Sequence, residues 1–175
     1  RLANRVMVRV GTVPVRAPED VVRHVREIPW EAWLPLDVPL RIEAAIHESR
    51  MASTGMLATK VADGIRDRMQ AAGLAMPPSE GPGAGADGEA AQRLMLRLDR
   101  NRLTLSLDAS GDHLHRRGYR VAVTPAPIRE TLAAAILRFT RYDGVSPLVD
   151  PMCGSGTFPI EAAWMARGIA PGASR

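Results

Sequence analysis

The feature that most constrains the fold is the stretch LVDPMCGSGTFPIEAAW, residues 148–164. The apolar run Val145–Val149 predicts a short strand that ends at an acid, and residues 151–156 then predict a tight, glycine-containing loop. Apolar residues recur at helical spacing after Thr157, and Gly168 can end that helix. The order strand, glycine loop, helix is typical of α/β folds that bind a small ligand at the start of a helix.

The sequence of the loop disfavours two common classes of nucleotide-binding loop. Gly154 and Gly156 let the backbone turn sharply and approach a ligand closely, and the helix start offers free N–H groups. A phosphate-binding Walker loop needs a Lys after its last glycine, and none follows Gly156. The dinucleotide fingerprint needs a third glycine, which is also missing.

The acid before the loop points to a ligand with a positive group. Asp150 would repel a phosphate, whereas it suits an ammonium group. S-adenosylmethionine carries an ammonium group, together with a carboxylate that can face the helix N-terminus. A nicotinamide-binding Rossmann protein is the disfavoured alternative for the same stretch.

Composition excludes several classes of protein. The 175 residues are 46% hydrophobic and 24% charged, as in globular proteins, and no apolar run is long enough to span a membrane. The single cysteine, Cys153, excludes an internal disulfide or a multi-cysteine zinc site and favours the reducing cytoplasm. The net charge of +4 favours a nucleic-acid partner, although the dominance of Arg over Lys also fits a compositional bias of the genome.

The first 110 residues predict a small α+β region. Its two helices are marked by apolar residues at helical spacing, with Val21, Val22, Val25 and Ile28 on the first and Leu57, Val61, Ile65 and Met69 on the second. The predicted elements are strands at 5–15 and 39–47, helices at 18–28 and 56–73, a flexible loop at 77–92 and a β-hairpin at 93–110 with its turn at 99–102.

The pattern changes after this region, and we place a domain boundary near residues 110–118. A basic stretch, His115–Val123, leads into a short strand-like run. Residues 124–142 then predict a helix whose buried face carries Leu132, Ile136 and Phe139.

Three segments resemble one enzyme family. DPMCGSGT at 150–157 looks like motif I of the class I S-adenosylmethionine-dependent RNA methyltransferases that carry a THUMP domain. HRRGYR at 115–120, followed by APIRETLAAAIL at 126–137, resembles the entry into their catalytic domain. ESRMASTGMLATKVADGI at 48–65 resembles a stretch of the THUMP domain, with Met-Ala-Ser where Tyr-His is usual. The nearest subgroup is the bacterial 23S ribosomal RNA guanine-N2 methyltransferases of the L type.

The resemblance implies an α+β THUMP-like, ferredoxin-like RNA-binding region at 1–110, followed at 111–175 by the start of an α/β Rossmann-like methyltransferase domain. The Asn/Asp-Pro-Pro-Tyr motif that orients the target amine is absent from the sequence, so no catalytic residue is assigned and that motif is expected beyond Arg175. The residues implied to line the cofactor S-adenosylmethionine are Asp150, Pro151, Cys153, Gly154, Ser155, Gly156 and Thr157.

Other polar residues have two interpretations each. Arg116, Arg117 and Arg120 lead a set of arginines that either contact RNA phosphates or are solvated. Cys153 is interpreted as a small loop residue rather than a nucleophile. His113 and His115 are interpreted as solvated rather than metal ligands, and no metal site is expected. Glu161 either braces the loop or, more simply, complements the helix dipole.

The function implied by the resemblance is methyl transfer from S-adenosylmethionine to guanine N2 of large-subunit ribosomal RNA. Two alternatives stay open: a transfer RNA guanine-N2 methyltransferase, and an RNA-binding module that catalyses nothing. The expected partner is RNA, with no membrane association.

Overall fold

The computed structural model describes residues 2–79, 91–111, 113–120, 127–171 and 173. The chain divides into two compact units. One unit is Met7–Gly111, and the other is Asp112–Arg175 together with Arg1–Val6. The division along the sequence lies between Gly111 and Asp112, and the first six residues group with the second unit.

The first unit is a mixed four-stranded sheet with two helices. The strands lie in the order β1-β4-β3-β2, with β2 and β3 parallel and the other two pairs antiparallel. A short 3-10 turn at Trp30–Ala32 follows the first helix. The elements are β1 at Met7–Pro14, α1 at Pro18–Val25, β2 at Leu40–His47, α2 at Thr54–Ala71, β3 at Gln92–Asp99 and β4 at Arg102–Asp108.

The core of this unit lies between one sheet face and the helices. Alternate leucines of β3 and β4 are buried, as the period of a half-buried strand requires. On α2 the four residues predicted from helical spacing are all fully buried, which confirms that part of the prediction. These two sets are Leu94, Leu96, Leu98, Leu103, Leu105 and Leu107 in the sheet, and Leu57, Val61, Ile65 and Met69 on α2.

The predicted hairpin is confirmed, and its turn is made by two non-glycine residues. Arg100 and Asn101 both have positive φ, at 47° and 60°, which is the geometry of a two-residue type I′ turn. The Oδ1 atom of Asn101 accepts hydrogen bonds from Ser49 Oγ at 3.0 Å and from the Arg50 backbone N–H at 3.1 Å. Most of the loop predicted at 77–92 lies outside the described residues.

The second unit contains helix α3 at Glu130–Phe139 and helix α4 at Thr157–Ala166. The predicted strand Val145–Val149 is wrong: these residues are irregular, and Val145 and Val149 are highly exposed. A strand is defined by its ladder of hydrogen bonds, and no described segment pairs with this one. The strand-like run expected after residue 120 falls at 121–126, outside the described residues.

The predicted buried face of α3 is also wrong. Leu132 and Phe139 are 52% and 89% exposed, and Ile136 is exposed as well. The helix instead buries Ala133, Ala134 and Leu137, and it packs against α4. Both sets of apolar residues have helical spacing, so periodicity does not choose between them. No helix in the described part of the chain is long and apolar enough to cross a membrane.

Candidate functional site

The glycine loop that precedes α4 has the backbone geometry that its sequence predicts. Gly154 and Gly156 have φ values of 52° and 75°, in the left-handed region that side chains other than glycine rarely adopt. The Gly156 N–H donates to the Cys153 carbonyl at 2.7 Å, which closes the loop into a tight turn. The conformation of each position therefore favours glycine. Gly156 also occupies the N-cap position of α4, where it has no side chain to bond the free N–H groups.

The start of α4 is an open set of donors. No side chain caps this helix end, and no acid lies in its first turn. The hydroxyl oxygens of Ser155 and Thr157 lie 3.4 Å apart beside it. Pro159 in the first turn has no N–H to satisfy. Uncapped N–H groups and the positive end of the helix dipole favour an anionic group here, such as a carboxylate.

The acid before the loop keeps one oxygen available. Asp150 Oδ1 accepts a hydrogen bond from the Met152 backbone N–H at 3.0 Å. Its Oδ2 atom is buried and has no hydrogen-bond partner among the described residues. A buried carboxylate oxygen without a donor is costly, and an ammonium or hydroxyl group of a ligand would satisfy it. Along the chain, an acceptor without a partner thus precedes the loop and uncapped donors follow it, which are the two kinds of group that the charged ends of an amino-acid moiety need.

The remaining loop residues are exposed. Pro151 and Cys153 lie on the outside of the turn, and the Cys153 thiol is 3.9 Å from the Gly154 carbonyl oxygen. Among the described residues no base forms a hydrogen bond with this thiol, so its geometry does not favour a nucleophile. All seven residues expected to line a cofactor are thus consecutive or nearly so in one loop and helix start.

The arginines expected to contact RNA have different surroundings. Arg116 is exposed. Arg117 is buried, and its Nε donates to Glu161 Oε1 at 3.1 Å in an ion pair whose two side chains are both fully buried. The Arg120 side chain is 17% exposed and donates to Glu130. A phosphate contact needs an accessible guanidinium, so the structure places Arg117 in the interior instead of on an RNA-facing surface.

Glu161 contacts Arg117 and Tyr119, which neither of its two sequence interpretations expected. Glu161 is the fifth residue of α4 and lies beyond its first turn, so the interpretation that it complements the helix dipole is wrong. Its Oε1 also accepts from the Tyr119 hydroxyl at 3.3 Å, and burial together with this carboxylate raises the pKa of Tyr119. The Tyr119 ring meets Trp164 edge-on, with centroids 5.2 Å apart. A charged residue inside the apolar run IEAAW was the sequence signal for such a buried partner.

The two histidines form a half-buried pair, not a solvated one. The rings of His113 and His115 have centroids 5.2 Å apart, and His113 Nε2 lies 3.2 Å from Nη2 of Arg5. Burial, and then the charge of His113, lower the pKa of His115. Among the described residues no group of three or more His, Cys, Asp or Glu could hold a metal ion.

The comparisons with known proteins agree with a methyltransferase. Residues 117–175 match the family UPF0020, described as RMKL-like, methyltransferase domain. The chain is 39% identical over 179 residues to the ribosomal RNA large subunit methyltransferase K/L of Pseudomonas fluorescens, covering all of this chain and 23% of the relative. The chain therefore spans about a quarter of the length of the curated relatives that it matches.

Solved structures give the same fold. A predicted N6-adenine-specific DNA methylase from Listeria monocytogenes matches with a TM-score of 0.80 and 34% identity, over 98% of this chain and 44% of that one. The structure of SMU.472 complexed with SAH matches with a TM-score of 0.77 and 32% identity, over 96% and 43%. The chain thus has a methyltransferase-like α/β fold with a mixed sheet.

Proposed function

We propose that this chain is part of an S-adenosylmethionine-dependent methyltransferase that modifies guanine N2 in large-subunit ribosomal RNA. The observation that carries the proposal is the loop at 150–157, where the available oxygen of Asp150 and the uncapped start of α4 flank two left-handed glycines. The relatives named as ribosomal RNA large subunit methyltransferases support the substrate class.

Asp150 and the start of α4 would hold the amino-acid half of the cofactor. Asp150 Oδ2 would accept from its ammonium group, and the first-turn N–H groups, with Ser155 and Thr157, would donate to its carboxylate. The bound cofactor supplies an electrophilic methyl group. These residues contribute by fixing its position, because a displacement of about 1 Å can cost a hundredfold in rate. SAH in the SMU.472 structure supports this choice of cofactor.

The unit Met7–Gly111 is proposed to be a THUMP-like module that binds RNA. The protein is proposed to act in the cytoplasm. The α+β build of this unit supports the THUMP-like fold, and three arginines on and directly after β3 are the proposed contacts to RNA phosphates. Arg93, Arg97 and Arg100 form ion pairs with neighbouring acids, at 3.5, 3.5 and 3.2 Å. The arginines of the Arg97 and Arg100 pairs are highly exposed, and such pairs contribute little to stability, so RNA phosphates can replace their acids at little cost. Arg116 stays a predicted RNA contact.

The test uses the full-length protein with S-adenosylmethionine labelled in its methyl group. Ribosomal RNA from a strain that lacks the gene serves as acceptor, and the nucleosides are separated after digestion. We expect label in N2-methylguanosine of large-subunit RNA. Label in transfer RNA, or in N6-methyladenine when DNA is the acceptor, would contradict the proposed substrate, and the second result would match the Listeria neighbour instead.

A further inference from the structure

Arg120 joins the starts of the two helices in the second unit. Its Nε donates to Glu130 Oε1 at 3.0 Å, and Glu130 is the first residue of α3. Its Nη2 donates to the Ile128 carbonyl at 3.0 Å and to the Thr157 hydroxyl at 3.2 Å. Thr157 is the first residue of α4 and is buried. One guanidinium therefore connects α3 to the residue that follows the glycine loop.

This arrangement is not one that helix stability favours. A cation near a helix N-terminus is opposed by the helix dipole, and Arg120 lies near two such ends. Glu130 offsets only part of this, because Nη1 of Arg120 is buried without a hydrogen-bond partner among the described residues. A largely buried arginine with one unsatisfied nitrogen costs stability at this place, which favours a role in what it holds.

The held group is the hydroxyl of Thr157. It receives a hydrogen bond from Arg120 and lies 3.4 Å from Ser155 Oγ. The guanidinium thus fixes the rotamer of Thr157 and anchors the first residue of α4, whose N–H follows directly on Gly156. The neighbouring Arg117 and Tyr119 reach the same helix one turn later, at Glu161, so the segment 114–120 holds α4 along its length.

We propose that Arg120 is a positioning residue for cofactor binding, which acts through Thr157 on the glycine loop and the start of α4. The proposal rests on the proposed function, because it takes this loop to bind S-adenosylmethionine. It assigns Arg120 to the interior of the cofactor site and not to RNA contact.

The experiment measures SAH affinity of the full-length protein by calorimetry. A lysine ammonium lacks the planar set of donors with which Arg120 contacts Glu130, Ile128 and Thr157 at once. We therefore expect Arg120→Lys to raise the Kd about tenfold, which is the effect of losing one charged hydrogen bond. Thr157→Val removes the hydroxyl at nearly constant shape and is expected to have a similar effect, whereas Thr157→Ser keeps the hydroxyl and should bind within about twofold of the native protein.

The double variant separates positioning from general destabilisation. If Arg120 acts through Thr157, Arg120→Lys combined with Thr157→Val raises the Kd about as much as either change alone. Additive effects, or native affinity in Arg120→Lys, would overturn the proposal. Leu137→Ala is the control, since this buried residue of α3 should lower the melting temperature and leave the Kd unchanged.

Two further outcomes are distinguishable. If the native full-length protein does not bind SAH, the proposed function fails before Arg120 is tested. If Arg120→Lys does not fold, Glu130→Gln decides, because it weakens the contact that orients Arg120 and leaves Thr157 intact: native affinity overturns the proposal, and a raised Kd supports it.

Discussion

Glu161→Leu is expected to destabilise α4 more than any single substitution at an exposed position of that helix. The Arg117–Glu161 pair is fully buried, with 3.1 Å between Nε and Oε1, and Tyr119 donates to the same oxygen. Leucine removes the carboxylate and leaves a guanidinium buried without its counter-charge. Removing one partner of a buried pair costs about 3–5 kcal/mol.

The cost belongs to the uncompensated charge and not to the pair itself. Replacing both partners, with Arg117→Met and Glu161→Leu, removes the charge together with its counter-charge. Apolar replacement of a buried pair is often neutral, so the double variant should recover most of the stability. Glu161→Gln keeps an oxygen for Tyr119 and is expected to lie between the native protein and the leucine variant.

Amide hydrogen exchange of α4, followed by mass spectrometry on the full-length protein, measures this locally. Because about 1.4 kcal/mol corresponds to a factor of ten, the protection of α4 should fall by roughly two to four orders of magnitude in Glu161→Leu. Native protection in that variant, or a double variant as weakened as the single one, would refute the reasoning. Protection in α2, in the other unit, is the internal reference.

Three further predictions concern other sites. Gly64→Ala should cost about 1–3 kcal/mol in urea unfolding, because a Cβ there would lie 2.8 Å from a valine side chain of α1, whereas Gly55→Ala on the same helix meets nothing closer than 3.9 Å and should not destabilise. Hydrogen bonding from Arg68 lowers the pKa of Glu31 to about 2, so this contact stabilises above pH 4.5 and is lost as the pH falls toward 2; acid unfolding should show a smaller loss over that range in Glu31→Gln. Gly154→Ala should raise the Kd for SAH, since alanine disfavours the φ of 52° by about 1 kcal/mol or more; unchanged affinity would show that the loop conformation is not required.

Sequence periodicity predicted the first unit well because its patterns are unambiguous. The four buried residues of α2 and the alternating leucines of the hairpin each fit one period and one face. In the second unit, α3 carries two sets of apolar residues at helical spacing, and the set that is buried consists of Ala133, Ala134 and Leu137. Periodicity alone could not make that choice.

The site was predictable where it depends on backbone conformation and less so where it depends on tertiary contacts. The left-handed Gly154 and Gly156 follow from the spelling of the loop. Arg117 was interpreted as part of a basic surface because its buried partner, Glu161, lies 44 positions away along the chain. The acid inside the apolar run IEAAW indicates a buried charge, but no local pattern marks Arg117 as its partner.

The central claim is that the loop at 150–157 binds the methyl donor. The most direct measurement is calorimetric titration of SAH into the full-length protein and its Asp150→Asn variant. Asparagine keeps the side-chain shape and removes the negative charge that would pair with the ammonium group. We expect binding by the native protein and a Kd at least about tenfold higher in the variant. Equal affinity of the two proteins, or no binding by the native protein, would contradict this claim.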